Sequence, residues 1–274
     1  MKLSLTPTQV HERIQSLDII RGIAILGILI MNIQSFSMPG SAYSNPMAFG
    51  DLNGINKWVW IVSHLFADMK FMNIFSKFFS KHDFQTELDL PKSSPIIFAA
   101  NHRSFFDVII AWAFFSLSGV NCHCLIRADL FSKPLMGSWL RKNGCIAASR
   151  DTREEAELQA IEKLKAGYAV AIMPEGRLVP PADRPEGVGQ GRPGISRIAR
   201  ATGATIVPVA ITGSDLVWPL GKGFPVPRLK RPVIKVRFGA PFDLQSDDDI
   251  NNANVIMQRI KSLLDSMTDP KHTS

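Results

Sequence analysis

From residue 95 onward the chain alternates short apolar runs with longer segments of helical character, and that alternation permits few folds. The runs 95–100, 122–126, 145–148, 168–173, 205–211 and 233–238 have strand length. Between them, 104–117, 134–142, 153–166 and 192–202 are long enough for helices. Parallel strands need a crossover connection, so strand, helix and strand in succession build a mostly parallel sheet with helices on its faces. The expected class is α/β. Thr152 with Glu155 reads as a capping box opening the third helix, and Gly167 as its close. Residues 247–267 are amphipathic through Ile250, Val255, Ile256, Ile260 and Leu263 or Leu264, which predicts a terminal helix before a polar tail. Residues 178–193, rich in Pro, Gly and charge, read as a long loop of the kind that serves as a lid.

The segment PIIFAANHRSFFD at 95–107 puts His102 at the carboxyl end of the first run and Asp107 five residues on, at the mouth of the first helix. Ligands of open α/β sheets bind at that edge. A histidine there can act as general base if a carboxylate fixes its tautomer. The plain structural alternative is that Ser104 and Asp107 form a capping box, which needs no chemistry. For an isolated histidine and aspartate that alternative is the commoner case. Likewise, MPEGR at 173–177 taken alone is a polar turn after a strand.

The four segments NHRSFFD, GSWLRKNGCIAASRD (137–151), MPEGR and IVPVAITG (206–213) together say more. They stand in the order and near the spacing of the glycerolipid acyltransferases, and residues 91–244 resemble the 1-acyl-glycerol-3-phosphate acyltransferase family. The resemblance implies transfer of a fatty acyl group from acyl-CoA or acyl-ACP, as co-substrate, to a lysophospholipid hydroxyl. It implies no cofactor, no metal and no acyl-enzyme. By the same resemblance His102 and Asp107 are catalytic, Pro174, Glu175 and Gly176 form the phosphate-binding block, and Arg150 contacts the acceptor's phosphate. One departure stands out. The family usually places a threonine between the glycine and its arginine, whereas Arg177 follows Gly176 at once and Leu178 stands where the arginine would be. Arg177 is the preferred phosphate ligand, since glycine lets backbone approach an anion and a guanidinium grips it in a fork. Arg184 and Arg192 are the alternatives. Competing functions are transfer to another lysolipid, thioester hydrolysis by the same pair, and an inactive membrane-anchored protein.

Charge agrees with a lipid-facing protein. The formal net charge is +7, while residues 177–237 alone carry eleven Arg or Lys against three Asp or Glu. A basic face suits acidic lipid, the phosphates of CoA or an acidic carrier protein. Nucleic acid is not expected, because the basic stretch is broken by Pro219, Pro225, Pro227 and Pro232 and contains no nucleic-acid module. Cys122, Cys124 and Cys145 lack the paired spacing of a zinc site and read as core residues of a reducing compartment.

The amino-terminal third is different. RIQSLDIIRGIAILGILIMNI at 13–33 and WVWIVSHLFADMKFMNIFS at 58–76 resemble the start of an uncharacterised bacterial family of multi-pass membrane proteins. That likeness stops near Ser76, so a seam is expected between Lys77 and Leu90. The expected organisation is an anchoring segment at 1–80, a catalytic domain at 81–247, and a terminal helix and tail at 248–274. Residues 19–33 are too short for a hydrocarbon core of about 30 Å at about 1.5 Å per residue, but extension to Met38 reaches the span length. A buried soluble helix is the alternative. Lys2, Arg13 and Arg21 precede the run and place the amino terminus in the cytoplasm. In the second segment Ser63, Lys70 and Lys77 mark one narrow polar face, as in a helix lying in the interface. A membrane-associated hairpin is therefore expected, with the catalytic domain facing the cytoplasm. Oligomeric state has no signal in the sequence.

Overall fold

The computed structural model describes residues 54, 57–58, 70–85, 90–91 and 94–268. The expected membrane helix at 19–38, most of the second amino-terminal segment and the tail after 268 lie outside the described residues. The chain divides between Phe71 and Met72 into two units, and the fold below is that of the second. In chain order the elements are Lys70–Phe79 (α1), Lys81–Phe84 (β1), Ile96–Ala100 (β2), Phe106–Ser118 (α2), Cys122–Arg127 (β3), Pro134–Lys142 (α3) and Ile146–Ala148 (β4). Arg153–Lys165 (α4), Ala169–Ile172 (β5), Gly194–Thr202 (α5), Thr205–Thr212 (β6), Ser214–Val217 (α6), Val233–Phe238 (β7) and Asp249–Thr268 (α7) follow.

The strands form one seven-stranded sheet in the order β1-β7-β6-β2-β5-β3-β4. Every pair is parallel except β6 with β7. Because the sheet is covered on both sides, its central strands are apolar on both faces rather than alternating. Ile97, Ala99, Val170, Ile172, Ile206 and Ala210 join one buried cluster with Ala160 of α4, Ile198 of α5 and Ile260 of α7. The opposite face meets α2 through Phe98 on Phe115, with ring centroids 5.2 Å apart, and Phe238 on Phe114 at 4.7 Å. Each large apolar side chain buried this way contributes about 1.5–3 kcal/mol, and Phe98→Ala would remove about 3–5 kcal/mol.

The mostly parallel α/β expectation holds, with three local differences. Lys81–Phe84, inside the expected seam, is a strand. The sequence KHDF has no period-two apolar pattern, and its strand state comes from pairing with β7 and from Asp83 meeting the Arg237 guanidinium at 2.8 Å. Thr152 does start α4, but its hydroxyl meets the Ser149 hydroxyl, and Glu155 accepts from Gln159 instead of reaching back, so no capping box forms. In α7, Ile250 stands exposed while Ile256, Met257, Ile260 and Leu264 carry the buried stripe.

Candidate active site

His102 follows β2 at its carboxyl end, and the neighbouring strands bring their own carboxyl ends to it. β5 and β6 flank β2. Asn101, fully buried, donates from Nδ2 to the Ile211 carbonyl at 3.0 Å and accepts from the Ile211 N–H at 2.8 Å, locking the end of β2 to β6. On the other side Glu175, just past β5, accepts from the His102 backbone N–H at 2.7 Å and from the Gly189 N–H at 2.7 Å. The backbone of His102 is thus held from both neighbours before its side chain is considered.

That side chain approaches Asp107, with Nδ1 and Oδ2 3.0 Å apart. The same oxygen accepts the N–H groups of Arg103 at 2.7 Å and Ser104 at 2.8 Å. Asp107, in the first turn of α2, therefore fastens the 103–104 turn ahead of that helix and contacts the imidazole at once, so the structural and catalytic readings of this pair do not compete. Its Oδ1 is buried without a hydrogen-bond partner. The Ser104 hydroxyl accepts from Phe106 N–H and donates to the Trp218 carbonyl at 2.7 Å, tying this turn to the segment after α6. With Nδ1 directed at Asp107, Nε2 is the ring nitrogen left for a substrate proton, and the side chain keeps 11% of its exposure.

Electrostatics separate the surrounding charges. Glu175 is 3% exposed, and burial raises its carboxyl above the ordinary range, while the two backbone donors and His102 pull it down. Arg184 is buried, donates to the Val179 carbonyl and lies 3.6 Å from Asp215. Arg103 donates to the Gly187 carbonyl, and burial followed by the nearness of Arg184 lowers its guanidinium, which stays charged.

The remaining sequence candidates fall in different places. Arg177 and Arg192 line one pocket with Glu175, Asp183 and Gln190. Arg177 is exposed and lies 3.6 Å from Asp183, whereas Arg192 donates to the Glu175 carbonyl at 3.1 Å. Gly176 lies beneath Arg192: its φ is +66°, and a Cβ there would stand 2.7 Å from the Arg192 side chain. Arg150 is exposed beyond the end of β4, with β3 and β5 between that strand and β2. Sequence reasoning missed Asn101 and the inward turn of Glu175. Asn101 directly precedes His102 at a strand end, which is the one sign of it that the sequence carries.

This geometry agrees with three kinds of likeness. The acyltransferase family model matches residues 81–212. The chain is 28% identical over 147 residues to the 1-acyl-sn-glycerol-3-phosphate acyltransferase BAT2, chloroplastic, of Brassica napus, which is 52% of this chain and 40% of that one. It is 41% identical over 68 residues to the uncharacterized protein YeiB of Escherichia coli strain K12, 25% of this chain and 18% of that one, compatible with the resemblance read at 13–76. The chain thus spans less than half the length of these relatives. Among solved structures, the 1-acyl-sn-glycerophosphate acyltransferase PlsC of Thermotoga maritima shares the fold, with a TM-score of 0.58 at 20% identity over 89% of this chain and 97% of that one. Residues 81–212 are thus similar to the acyltransferase family by sequence, and the fold around them is that of PlsC.

Proposed function

We propose that the chain transfers a fatty acyl group from acyl-CoA or acyl-ACP to the free hydroxyl of a lysophospholipid, with 1-acyl-glycerol-3-phosphate as acceptor. The observation that carries this reading is the buried His102–Asp107 pair at the carboxyl edge of the central strands, 3.0 Å apart, with its strand end held by the Glu175 carboxylate on one side and by the Asn101 amide on the other. In the proposed reaction, Nε2 of His102 takes the hydroxyl proton as that oxygen attacks the thioester carbonyl. Nδ1–H donates to Asp107, which stabilises the imidazolium. The tetrahedral adduct collapses with loss of thiolate, and the imidazolium returns its proton to that sulfur. General-base assistance of this kind contributes about 10²–10⁴ in rate, and positioning supplies much of the remainder.

One further feature supports a lipid substrate. The Arg177 and Arg192 pocket suits a phosphate headgroup, since guanidinium groups bind phosphate in charge-assisted pairs. The proposed location is the cytoplasmic membrane surface, where thioester donors and lysolipid meet. No helix among the described residues is long and apolar enough to cross a membrane. The test is incubation of the full chain with labelled acyl-CoA and a panel of lysolipids, with products read by mass. Transfer to lysophosphatidic acid supports the reading, and acyl-CoA turnover giving only free fatty acid would replace it with thioester hydrolysis.

A further inference from the structure

Between α6 and β7 runs a connection whose composition is lopsided. From residue 216 to 242 the chain has no Asp or Glu, while Lys222, Arg228, Lys230 and Arg231 fall within the connection itself. Apolar side chains that normally seek the core stand outside it: Leu216, Leu220 and Phe224 are each about half exposed or more, and Leu229 is fully exposed. Exposure here is built in. The Trp218 indole N–H donates to the Lys222 carbonyl at 2.7 Å, Val226 N–H donates to Val217 at 2.8 Å, and Arg231 donates to the Lys77 carbonyl at 2.7 Å. Four prolines, at 219, 225, 227 and 232, stiffen it further. Phe224 leans on α1, with its ring 6.2 Å from Phe75 and 5.9 Å from Phe79, and α1 adds exposed Ile74 and Phe78 beside Lys77. The result is an exposed apolar ridge whose own residues from 216 to 231 carry cations and no carboxylate, Asp215 before it being paired with Arg184.

We infer that the 216–231 connection, with Ile74 and Phe78 of α1, is a docking surface for a bilayer bearing anionic lipid. The charge pattern selects this occupant. Cations with no interspersed carboxylate match anionic headgroups, and the exposed Leu and Phe among them match the acyl boundary below. An acidic protein would meet the cations but leave Leu229 and Phe224 unsatisfied. The ridge is coupled to the site, because Ser104 donates to the Trp218 carbonyl and Phe105 packs on Trp218 with ring centroids 5.7 Å apart. Docking therefore brings the turn that carries His102 to the lipid surface, where an acceptor with a membrane-embedded chain presents its hydroxyl. This last consequence rests on the acyltransferase reading.

The test uses the full chain in a Cys145→Ser background, since Cys122 and Cys124 are buried. An environment-sensitive fluorophore is attached at Leu229→Cys and, as a control, at Lys165→Cys at the far end of α4. Vesicles of phosphatidylcholine with and without phosphatidylglycerol are added. The surface is supported if Leu229 emission shifts blue on phosphatidylglycerol vesicles and is quenched by brominated lipid while the Lys165 probe is unmoved. Joint charge reversal, Lys222→Glu, Arg228→Glu and Lys230→Glu, should weaken that binding by about tenfold or more. A Leu229 probe that stays in water while the protein sediments with vesicles overturns the inference. So does a probe buried without vesicles as protein concentration rises, which marks a second copy, or one shifted by acidic carrier protein and not by lipid. Transfer is assayed separately with lysolipid in detergent micelles. Insertion without transfer removes the acyltransferase reading alone, and transfer without insertion removes the docking surface alone.

Discussion

Glu175→Ala isolates the part of the site that no local sequence pattern reveals. Its carboxylate takes two backbone N–H groups at 2.7 Å each, from His102 and Gly189, in a position 3% exposed. Hydrogen bonds to a charged group contribute about 1.5–3 kcal/mol each, so losing both costs about 3–6 kcal/mol. Against this stands the cost of burying the carboxylate, visible in its raised pKa. Truncation relieves that cost and brings the net loss to about 2–4 kcal/mol. For a domain of this size that lowers Tm by roughly 4–16 °C. The catalytic effect is larger in proportion. Once the His102 N–H is released, the imidazole drifts, and a misplacement of about 1 Å costs on the order of 10² in rate. Thermal unfolding and steady-state kinetics on one preparation give both numbers, with kcat expected to fall and the KM for acyl-CoA to hold. A rise in acceptor KM at unchanged kcat would refute the reasoning, because it would make Glu175 a contact of the acceptor.

Further outcomes follow from the same geometry. Asp107→Asn can keep its oxygen on the Arg103 and Ser104 N–H groups, but its NH2 then occupies the buried, unpartnered Oδ1 position. It should cost about 1–3 kcal/mol in denaturant unfolding, and kcat should fall by about 10²-fold or more as the imidazolium loses its anion. Arg177→Ala should raise the KM of a phosphate-bearing acceptor by about tenfold or more with little change for acyl-CoA, and an effect found only with Arg192→Ala would transfer the role. Burial, and then Lys77, hold the His82 imidazole down at about 4. Because that lies below its ordinary 6.5, the neutral ring's contribution is complete above 6.5 and is lost as pH falls through about 4. The gap is worth at most about 3 kcal/mol, and about 1–2 once solvent screening of a partly exposed ring is counted. His82→Phe should therefore flatten the decline in urea midpoint between those pH values, and an unchanged slope would assign the acid sensitivity elsewhere.

What was legible in the sequence was local or periodic. His102 and Asp107 meet across five residues, so a strand end and a helix start suffice to bring them together. The six apolar runs from residue 95 each correspond to a strand; the central β2, β5 and β6 are apolar almost throughout because both sheet faces are covered, while β3 and β7 alternate. What was illegible depends on neighbours distant in sequence. β1 exists because β7 offers it an edge, and β7 runs antiparallel to β6, an orientation its apolar pattern does not encode. The Asn101 clamp on Ile211 spans 110 residues and the Glu175 bond to His102 spans 73. Arg184, open as a phosphate ligand on the sequence, is buried against Val179 and Asp215, a fate set by the path of the 178–193 loop.

The central claim is that His102 removes the acceptor's proton. Its most direct test is His102→Ala in the full chain, assayed for transfer from labelled acyl-CoA to lysophosphatidic acid alongside direct lysolipid binding. Loss of the base should lower kcat by about 10²-fold or more and leave binding nearly unchanged. A variant that kept more than about a tenth of wild-type transfer would contradict the account.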